Sequence, residues 1–350
     1  MKPKSLFRIA AFVSCCILIL LNGCQKKSDS NQKPQLVVVS FGGQWQEAQR
    51  KAIFEPFEKK YNADIVEVEY NGDYSLIKEK ARKGEWDVID VEPAELLLGT
   101  QDGIYEPVDY TKIDKSELIP EAINEYGLGV ITYSIIMGYS TEAFKPGNPH
   151  PSTWKDFWDT KTYPGKRGLH NSPQWMVEIA LLSQGVPKDQ LYPLDMEKAI
   201  AQLSKIKPQN VLFETWAQPA QLIQRGEVTV SVGTNGRLLA AKQEGQPIEV
   251  SWDQGIFTVE YYVVPKGLKN KDLAMQFMAF AASADGQKDI PKYIAYGPTN
   301  RNAMALVDST IAKNLPTAPE NYSKQVAFNP AWWFKNKSEA IRRYNEWALK

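Results

Sequence analysis

Polar and aromatic residues occur together in short segments that follow predicted strands. These segments hold Gln44 and Trp45, Glu92, Ser172 and Trp175, and Trp216. Tryptophan faces stack on rings, sugars and cations, and a carboxylate accepts hydrogen bonds from an ammonium or a hydroxyl group. This mixture favours recognition of a small polar solute.

Each of these segments also has a structural interpretation. The pair Gly42-Gly43 either brings the backbone close to a ligand or only forms a tight turn, with Trp45 packing on a helix. Glu92 either binds a ligand or caps the helix that follows it. Each tryptophan taken alone is typical of a core, so the binding hypothesis rests on the recurrence of such segments at strand–helix junctions.

The predicted elements alternate between strands and helices, which indicates βα units and a largely parallel sheet. Strands are predicted near 36–40, 65–70, 85–91, 130–139, 228–232 and 256–265. Helices are predicted near 76–83, 94–98, 196–203, 219–225 and 272–282, with Asp195 and Asn270 as caps. Pro56 should kink or end an early helix. In open α/β sheets ligands bind at the carboxyl ends of the strands, where the candidate segments lie.

Composition narrows the function classes. The 350 residues include 41 basic and 41 acidic side chains. Because basic residues are not in excess, the composition does not indicate nucleic-acid binding. Cys15, Cys16 and Cys24 are the only cysteines, which leaves the chain beyond Cys24 without a disulfide or a thiol nucleophile. Only two histidines, His150 and His170, are present, so a zinc site is not expected.

The first 24 residues predict export. Basic residues precede an apolar run from Ala10 to Leu21, which is shorter than the roughly 20 residues that span a bilayer. The sequence Leu21-Asn22-Gly23-Cys24 resembles a lipobox, and the polar stretch after it has the composition of a tether. We expect cleavage before Cys24 and lipid attachment to it; the alternative is an ordinary signal peptide with a chance cysteine.

Catalytic motifs are missing from the sequence. There is no Gly-x-Ser-x-Gly elbow, no P-loop and no His-Glu-x-x-His helix. We therefore expect neither an enzyme nor a cofactor or metal. The alternatives are an extracytoplasmic hydrolase on the same scaffold, and a sensor that signals ligand binding to a protein partner.

A set of ordered motifs carries a family resemblance. The motifs are Gly226-Glu227-Val228, Gly233-Thr234-Asn235-Gly236-Arg237, Gly245-Gln246-Pro247-Ile248, Gly255-Ile256-Phe257, Val264-Pro265-Lys266 and Tyr296-Gly297-Pro298-Thr299-Asn300. In order and spacing the chain resembles the periplasmic solute-binding proteins of ABC importers, especially the spermidine/putrescine-binding group, from about Leu36 to Met304.

The resemblance implies an α/β, two-lobe periplasmic-binding-protein fold of type II that closes by a hinge, preceded here by a lipoprotein signal peptide. The expected bounds are 1–23 for the signal, 24–34 for the tether, 35–139 plus 262–325 for lobe 1, 140–258 for lobe 2, and 326–350 for a C-terminal helical segment. The chain is expected to cross between lobes near Ser140 and near 257–260.

The resemblance also implies ligand contacts at Thr234, Asn235, Thr258 and Glu260. Polyamine binders of this group typically have an aromatic residue where Thr234 stands, and Trp and Asp where Thr258 and Glu260 stand. Their second-lobe acidic pair aligns with Ser172 and Trp175, so both of those carboxylates are lost, and the chain keeps one or two of the group's acids, Glu260 among them. Arg237 is a candidate to bind a carboxylate, and an exposed structural role is the alternative.

These observations together predict a monomeric lipoprotein at the periplasmic side or cell surface. It would bind a small polar, amine-bearing, polyamine-like solute between two lobes and deliver it to ABC permease subunits. The lipid anchor would be its only membrane attachment.

Overall fold

The computed structural model describes residues 33–349. The predicted signal peptide, Cys24 and nearly all of the tether therefore lie outside the described residues. Among the described residues, no helix combines the length and the apolar character needed to cross a membrane.

One hydrogen-bonded network of ten strands runs through the described chain, in the order β2-β1-β3-β8-β4-β7-β5-β6, with β9 on β4 and β10 on β8. The strands are β1 Gln35–Ser40, β2 Asp64–Glu69, β3 Val88–Val91, β4 Leu128–Ser140, β5 Arg167–His170, β6 Asn210–Phe213, β7 Val230–Thr234, β8 Ile248–Val263, β9 Gly297–Pro298 and β10 Val326–Ala327. Pairing is parallel within β2-β1-β3 and within β7-β5-β6, as the strand–helix alternation predicts.

Helices connect and cover these strands. They are α1 Gly43–Gln49, α2 Glu55–Tyr61, α3 Tyr74–Lys83, α4 Pro93–Gln101, α5 Trp154–Trp158, α6 Met176–Leu182, α7 Met196–Ile206, α8 Gln218–Gln224, α9 Asn235–Gln243, α10 Lys271–Ala282, α11 Ala284–Gln287, α12 Arg301–Leu306, α13 Ser309–Ala312, α14 Pro319–Tyr322 and α15 Pro330–Leu349. The predicted cap at Asp195 is confirmed, because its carboxylate accepts a 2.9 Å hydrogen bond from the Lys198 backbone.

Two long antiparallel strands, β4 and β8, join the two lobes. Their outer ends pair with β7 on one side and β3 on the other. Ile131 belongs to the core around β1–β3, whereas Ile135 belongs to the core around β5 and β7. The change of core along β4 therefore comes several residues before Ser140, because the strand itself carries the chain across.

Two local predictions differ from the structure. Pro56 does not end its helix: a π-helical segment, Arg50–Phe54, runs directly into α2, which contains Pro56 in its first turn. Asn270 begins α10 without a side-chain capping bond, since its amide donates instead to the Gln35 carbonyl at 3.2 Å.

Candidate functional site: an acid pair in an aromatic cleft

Glu92 directly follows the carboxyl end of the buried strand β3 and directly precedes α4. Its side chain makes no capping hydrogen bond to α4, so the capping alternative is wrong. The carboxylate instead accepts hydrogen bonds from the Tyr133 hydroxyl, at 3.1 and 3.3 Å. The side chain thus points toward β4, the second strand from β3, and toward the cleft.

Glu260 on β8 lies beside Glu92. Asp90 pairs with Tyr262 and Val91 with Tyr261, so the antiparallel register continues to Glu92 opposite Glu260. The two carboxyl groups are within hydrogen-bonding distance of each other. Glu260 is only 5% exposed, and its Oε2 has no hydrogen-bond partner in the structure.

A third acid, Asp90, lies behind this pair. It is fully buried, and one carboxylate oxygen accepts hydrogen bonds from the Trp45 indole at 2.7 Å, the Gln49 amide at 2.9 Å and the Ser40 hydroxyl at 3.1 Å. Its other oxygen has no hydrogen-bond partner among the described residues. Asp90 therefore fixes the Trp45 ring at the base of the cleft and, when ionised, adds negative charge there.

The three carboxyl groups titrate far from their ordinary range. Burial raises the pKa of Asp90 to about 7. Burial, with the negative charges of Glu95 and Asp90, raises the pKa of Glu92 to about 8. Burial and the other two acids raise the pKa of Glu260 well above its usual value. Among the described residues, no hydrogen bond or ion pair joins these carboxyls to a Lys, Arg or His side chain.

Two cavities meet at Glu92 and Phe41. The first, of about 590 Å³, is lined by aromatic rings that include Tyr133, Trp175 and Trp216. The second, of about 680 Å³, carries the rings of Trp45 and Tyr296, whose centroids are 5.7 Å apart. Both are large enough for a small organic solute. The acid pair thus lies where two aromatic-walled spaces join.

The structure distributes the sequence-predicted site residues between these cavities. The first is lined by Glu92, Ser172, Trp175, Trp216 and Thr258, and the second by Gln44, Trp45, Glu92, Arg237 and Glu260. Thr234 and Asn235 line neither cavity. The Asn235 amide is used elsewhere, accepting from the Ser134 backbone at 2.8 Å and donating to the Ala295 carbonyl at 2.6 Å.

Trp175 is held in an unusual backbone conformation. Its φ of +73° is rare for a bulky side chain, and such residues concentrate at ligand sites. The centroid of its ring lies 4.1 Å from that of Phe328.

Nearby, His170 stacks on Trp216 with ring centroids 4.5 Å apart. Burial lowers the pKa of His170. A neutral imidazole therefore extends the aromatic wall.

Sequence reasoning missed several residues of the cleft. Asp90 carried a signal, since it is a charged residue within a four-residue buried strand. Tyr133 carried none, and Tyr296 belonged to a family motif without being predicted as a site residue, because the approach of both to the acids depends on contacts between distant segments. Lys337 comes from the last helix, whose place against the cleft has no local signature.

Two lobes joined by crossing strands, with a polar and aromatic cleft beside them, define a protein that binds solutes. The model of the bacterial extracellular solute-binding protein family matches residues 52–319, and the chain belongs to this family. The family consists of binding proteins, not enzymes, which confirms the sequence-based prediction.

Individual relatives agree with this assignment. The gamma-aminobutyric acid-binding protein of Pseudomonas aeruginosa is 36% identical over 327 residues, covering 91% of this chain and 92% of that protein. The spermidine/putrescine-binding periplasmic protein of Escherichia coli is 25% identical over 288 residues, covering 79% and 82%. An ABC transporter substrate-binding protein from Bradyrhizobium japonicum has a structure with a TM-score of 0.82 and 33% identity, covering 90% and 99%. The predicted resemblance is confirmed.

Proposed function

We propose that this protein captures a small amine-bearing solute outside the cytoplasm and delivers it to an ABC permease. One observation carries the proposal: Glu92 and Glu260 face each other at the cleft without a basic partner in the described part of the chain. An ammonium group between them would offset one of the two negative charges and give Glu260 Oε2 the hydrogen bond that it lacks. The rings of Phe41 and Tyr133 would flank the cation.

Capture would use closure of the two lobes. We propose 35–139 with 262–325 as lobe 1, 140–258 as lobe 2, and 326–350 as a C-terminal segment that contains β10 and α15, with the end of β4 from Ile135 onward packing in the core of lobe 2. A solute that contacts Glu92 from one side and Ser172 or Trp216 from the other stabilises the closed state. Small-angle scattering should then show a smaller radius of gyration with ligand than without it.

An amino acid such as γ-aminobutyrate is the first candidate solute. A polyamine needs acids spaced along its length, whereas the acids here converge on one point around Glu92. The cavities also carry cations, Arg237 in the second and Lys337 in the first, which a second ammonium would meet unfavourably. The name of the Pseudomonas relative points the same way.

Calorimetry on Glu260→Gln tests the proposal. This change keeps the shape and removes the charge, so binding of γ-aminobutyrate should weaken by roughly ten- to a hundredfold. Glu249→Gln is the matched control, because Glu249 lies on the same strand in a surface ion pair with Lys242. Unchanged affinity in Glu260→Gln, with loss of binding in Arg237→Ala, would point to an acidic solute instead.

We also propose that Cys24 is the lipidated first residue of the mature protein. The short apolar run, Gly23 and the polar tether support this. Cys24→Ser should release protein from membranes or leave the precursor uncleaved. Normal processing and membrane retention of that variant would contradict the proposal.

A further inference from the structure

The C-terminal helix α15 forms part of the first cavity's wall. Trp333, Phe334 and Lys337 line this cavity together with residues of α4. The helix packs against α4 beside the acid pair and against α7 on the other side. One wall of the cavity therefore belongs to a segment far in sequence from every motif of the site.

The far end of α15 is fastened to the lobe that contains β5 and α7. The Tyr344 hydroxyl donates to the His170 carbonyl at 2.9 Å, and the Lys207 ammonium donates to the Trp347 carbonyl at 2.6 Å. Both Tyr344 and Trp347 belong to the core of that lobe. Helix α15 is therefore held by one lobe, and its first turns reach the other lobe.

Glu178 anchors those first turns. Its side chain is fully buried, and its carboxylate accepts hydrogen bonds from the Trp333 indole and from the Tyr192 hydroxyl. Its second oxygen has no partner, and among the described residues no basic side chain hydrogen-bonds to it. Hydrogen bonds to a buried carboxylate are strong, so the position of Trp333 depends on Glu178.

Lys337 lies one helical turn after Trp333 and on the same face. It lines the cavity and makes no hydrogen bond or ion pair with a carboxylate among the described residues. Burial raises the pKa of Glu95 on α4, and the positive charge of Lys337 lowers it. An ammonium group at the cavity wall is thus available to a solute.

We infer that α15, anchored through Trp333 on Glu178, presents Lys337 to an anionic group of the solute and so selects amino acids over diamines. This inference rests on the proposed amine site at Glu92 and Glu260. Lys337 is then a specificity-determining residue, and Glu178 is a positioning residue that never touches the ligand.

Two probes with the same four-carbon chain test the role of Lys337: γ-aminobutyrate, with one amine and one carboxylate, and putrescine, with two amines. Lys337→Ala should weaken γ-aminobutyrate binding by roughly tenfold and leave putrescine binding equal or stronger. Lys335→Ala is the matched control, since Lys335 is exposed on the same helix but does not line the cavity.

The outcomes separate this inference from the proposed function. An unchanged ratio of the two affinities in Lys337→Ala would overturn the inference, as would loss of γ-aminobutyrate binding in Arg237→Ala alone. Amine binding that is insensitive to Glu260→Gln would overturn the amine site itself. A protein that binds neither probe would overturn both.

Two further variants test the anchor. Trp333→Phe keeps the ring but removes the donor, and Glu178→Leu removes the acceptor. Either should speed hydrogen–deuterium exchange in the first turns of α15 and reduce the preference for γ-aminobutyrate, whereas Glu178→Gln, which retains an acceptor oxygen, should restore both. Unchanged exchange and preference in a folded Trp333→Phe protein would show that the anchor does not position Lys337.

Discussion

Glu92 and Glu260 face each other across the antiparallel pair of β3 and β8, with their carboxyl groups within hydrogen-bonding distance. Two ionised carboxylates in such a position repel each other, and burial strengthens the repulsion. Because no basic side chain of residues 33–349 binds either carboxyl group, the pair is stable only when it holds a proton or a cation. Binding of an amine-bearing solute at this point therefore replaces a proton with the ammonium group of the solute.

The first prediction concerns pH. The pKa values of Asp90, about 7, and Glu92, about 8, are raised in the free protein, and an ammonium ligand favours their ionised forms. Affinity for γ-aminobutyrate should therefore rise between about pH 6 and pH 8.5, and binding should release protons. Calorimetry at pH 7 in buffers of different ionisation enthalpy measures that release.

Other groups near the pair must be separated from this effect. Burial raises the pKa values of Tyr133 and Tyr296 above the range tested. Glu178 has a pKa raised to about 7 by burial, but it lies behind Trp333. Glu178→Gln is the control, and it should leave the proton release unchanged. A binding heat independent of the buffer would contradict the exchange.

The second prediction is that Glu260→Gln stabilises the unliganded protein. A carboxyl group whose pKa is raised by folding stabilises the native state below its unfolded pKa, about 4.3 for glutamate, and loses that contribution as pH rises. The glutamine amide does not ionise, so the variant does not lose stability at this position as pH rises. The melting temperature at pH 8 should therefore rise by about 2 °C or more, and the gain should vanish near pH 4.

Scanning calorimetry across this pH range checks the second prediction, with Glu249→Gln as the control on the same strand. A lower melting temperature at pH 8 would show that Glu260 makes a stabilising structural contact. A gain in stability together with weaker binding is the pattern expected of a group retained for function.

The third prediction concerns the Tyr133 hydroxyl, which donates to Glu92 at 3.1 Å. Removing this donor in Tyr133→Phe disfavours the ionised carboxylate, so the pKa of Glu92 should rise further. Binding should weaken by about three- to tenfold at pH 7 and recover at higher pH. Tyr139→Phe is the matched control, since Tyr139 is buried on the same strand in the other lobe's core. Equal weakening at every pH would indicate lost packing instead.

Local patterns predicted the parts of the fold that depend on local sequence. The short β-branched runs became β1 and β3, and the polar residues after them lie at the cleft. Glu92 was therefore predictable from its position after a buried strand. Its partner Glu260 came from the family resemblance, because the register of β3 on β8 joins segments about 170 residues apart in sequence.

The remaining parts depend on contacts between distant segments. Tyr133 lies within a long, mostly buried strand, and only the pairing of β4 with β8 turns it toward the acids. Pro56 lies just after a π-helical segment, Arg50–Phe54, which the sequence pattern did not predict. The position of α15 depends on a buried glutamate 155 residues away from Trp333 in sequence.

The last prediction concerns Asn235, which the sequence motif suggested as a ligand contact. Its buried amide bridges the Ser134 backbone N–H in β4 and the Ala295 carbonyl, and it lines neither cavity. Asn235→Ala leaves both backbone groups without their partner, which costs about 1–3 kcal/mol for each buried group left unpaired. Urea unfolding should therefore show a large loss of stability, whereas γ-aminobutyrate should bind the folded variant within about threefold of the original affinity. Thr234→Ala is the matched control, because it changes the adjacent residue without breaking this bridge. Collapse of binding with unchanged stability would instead place Asn235 on the ligand.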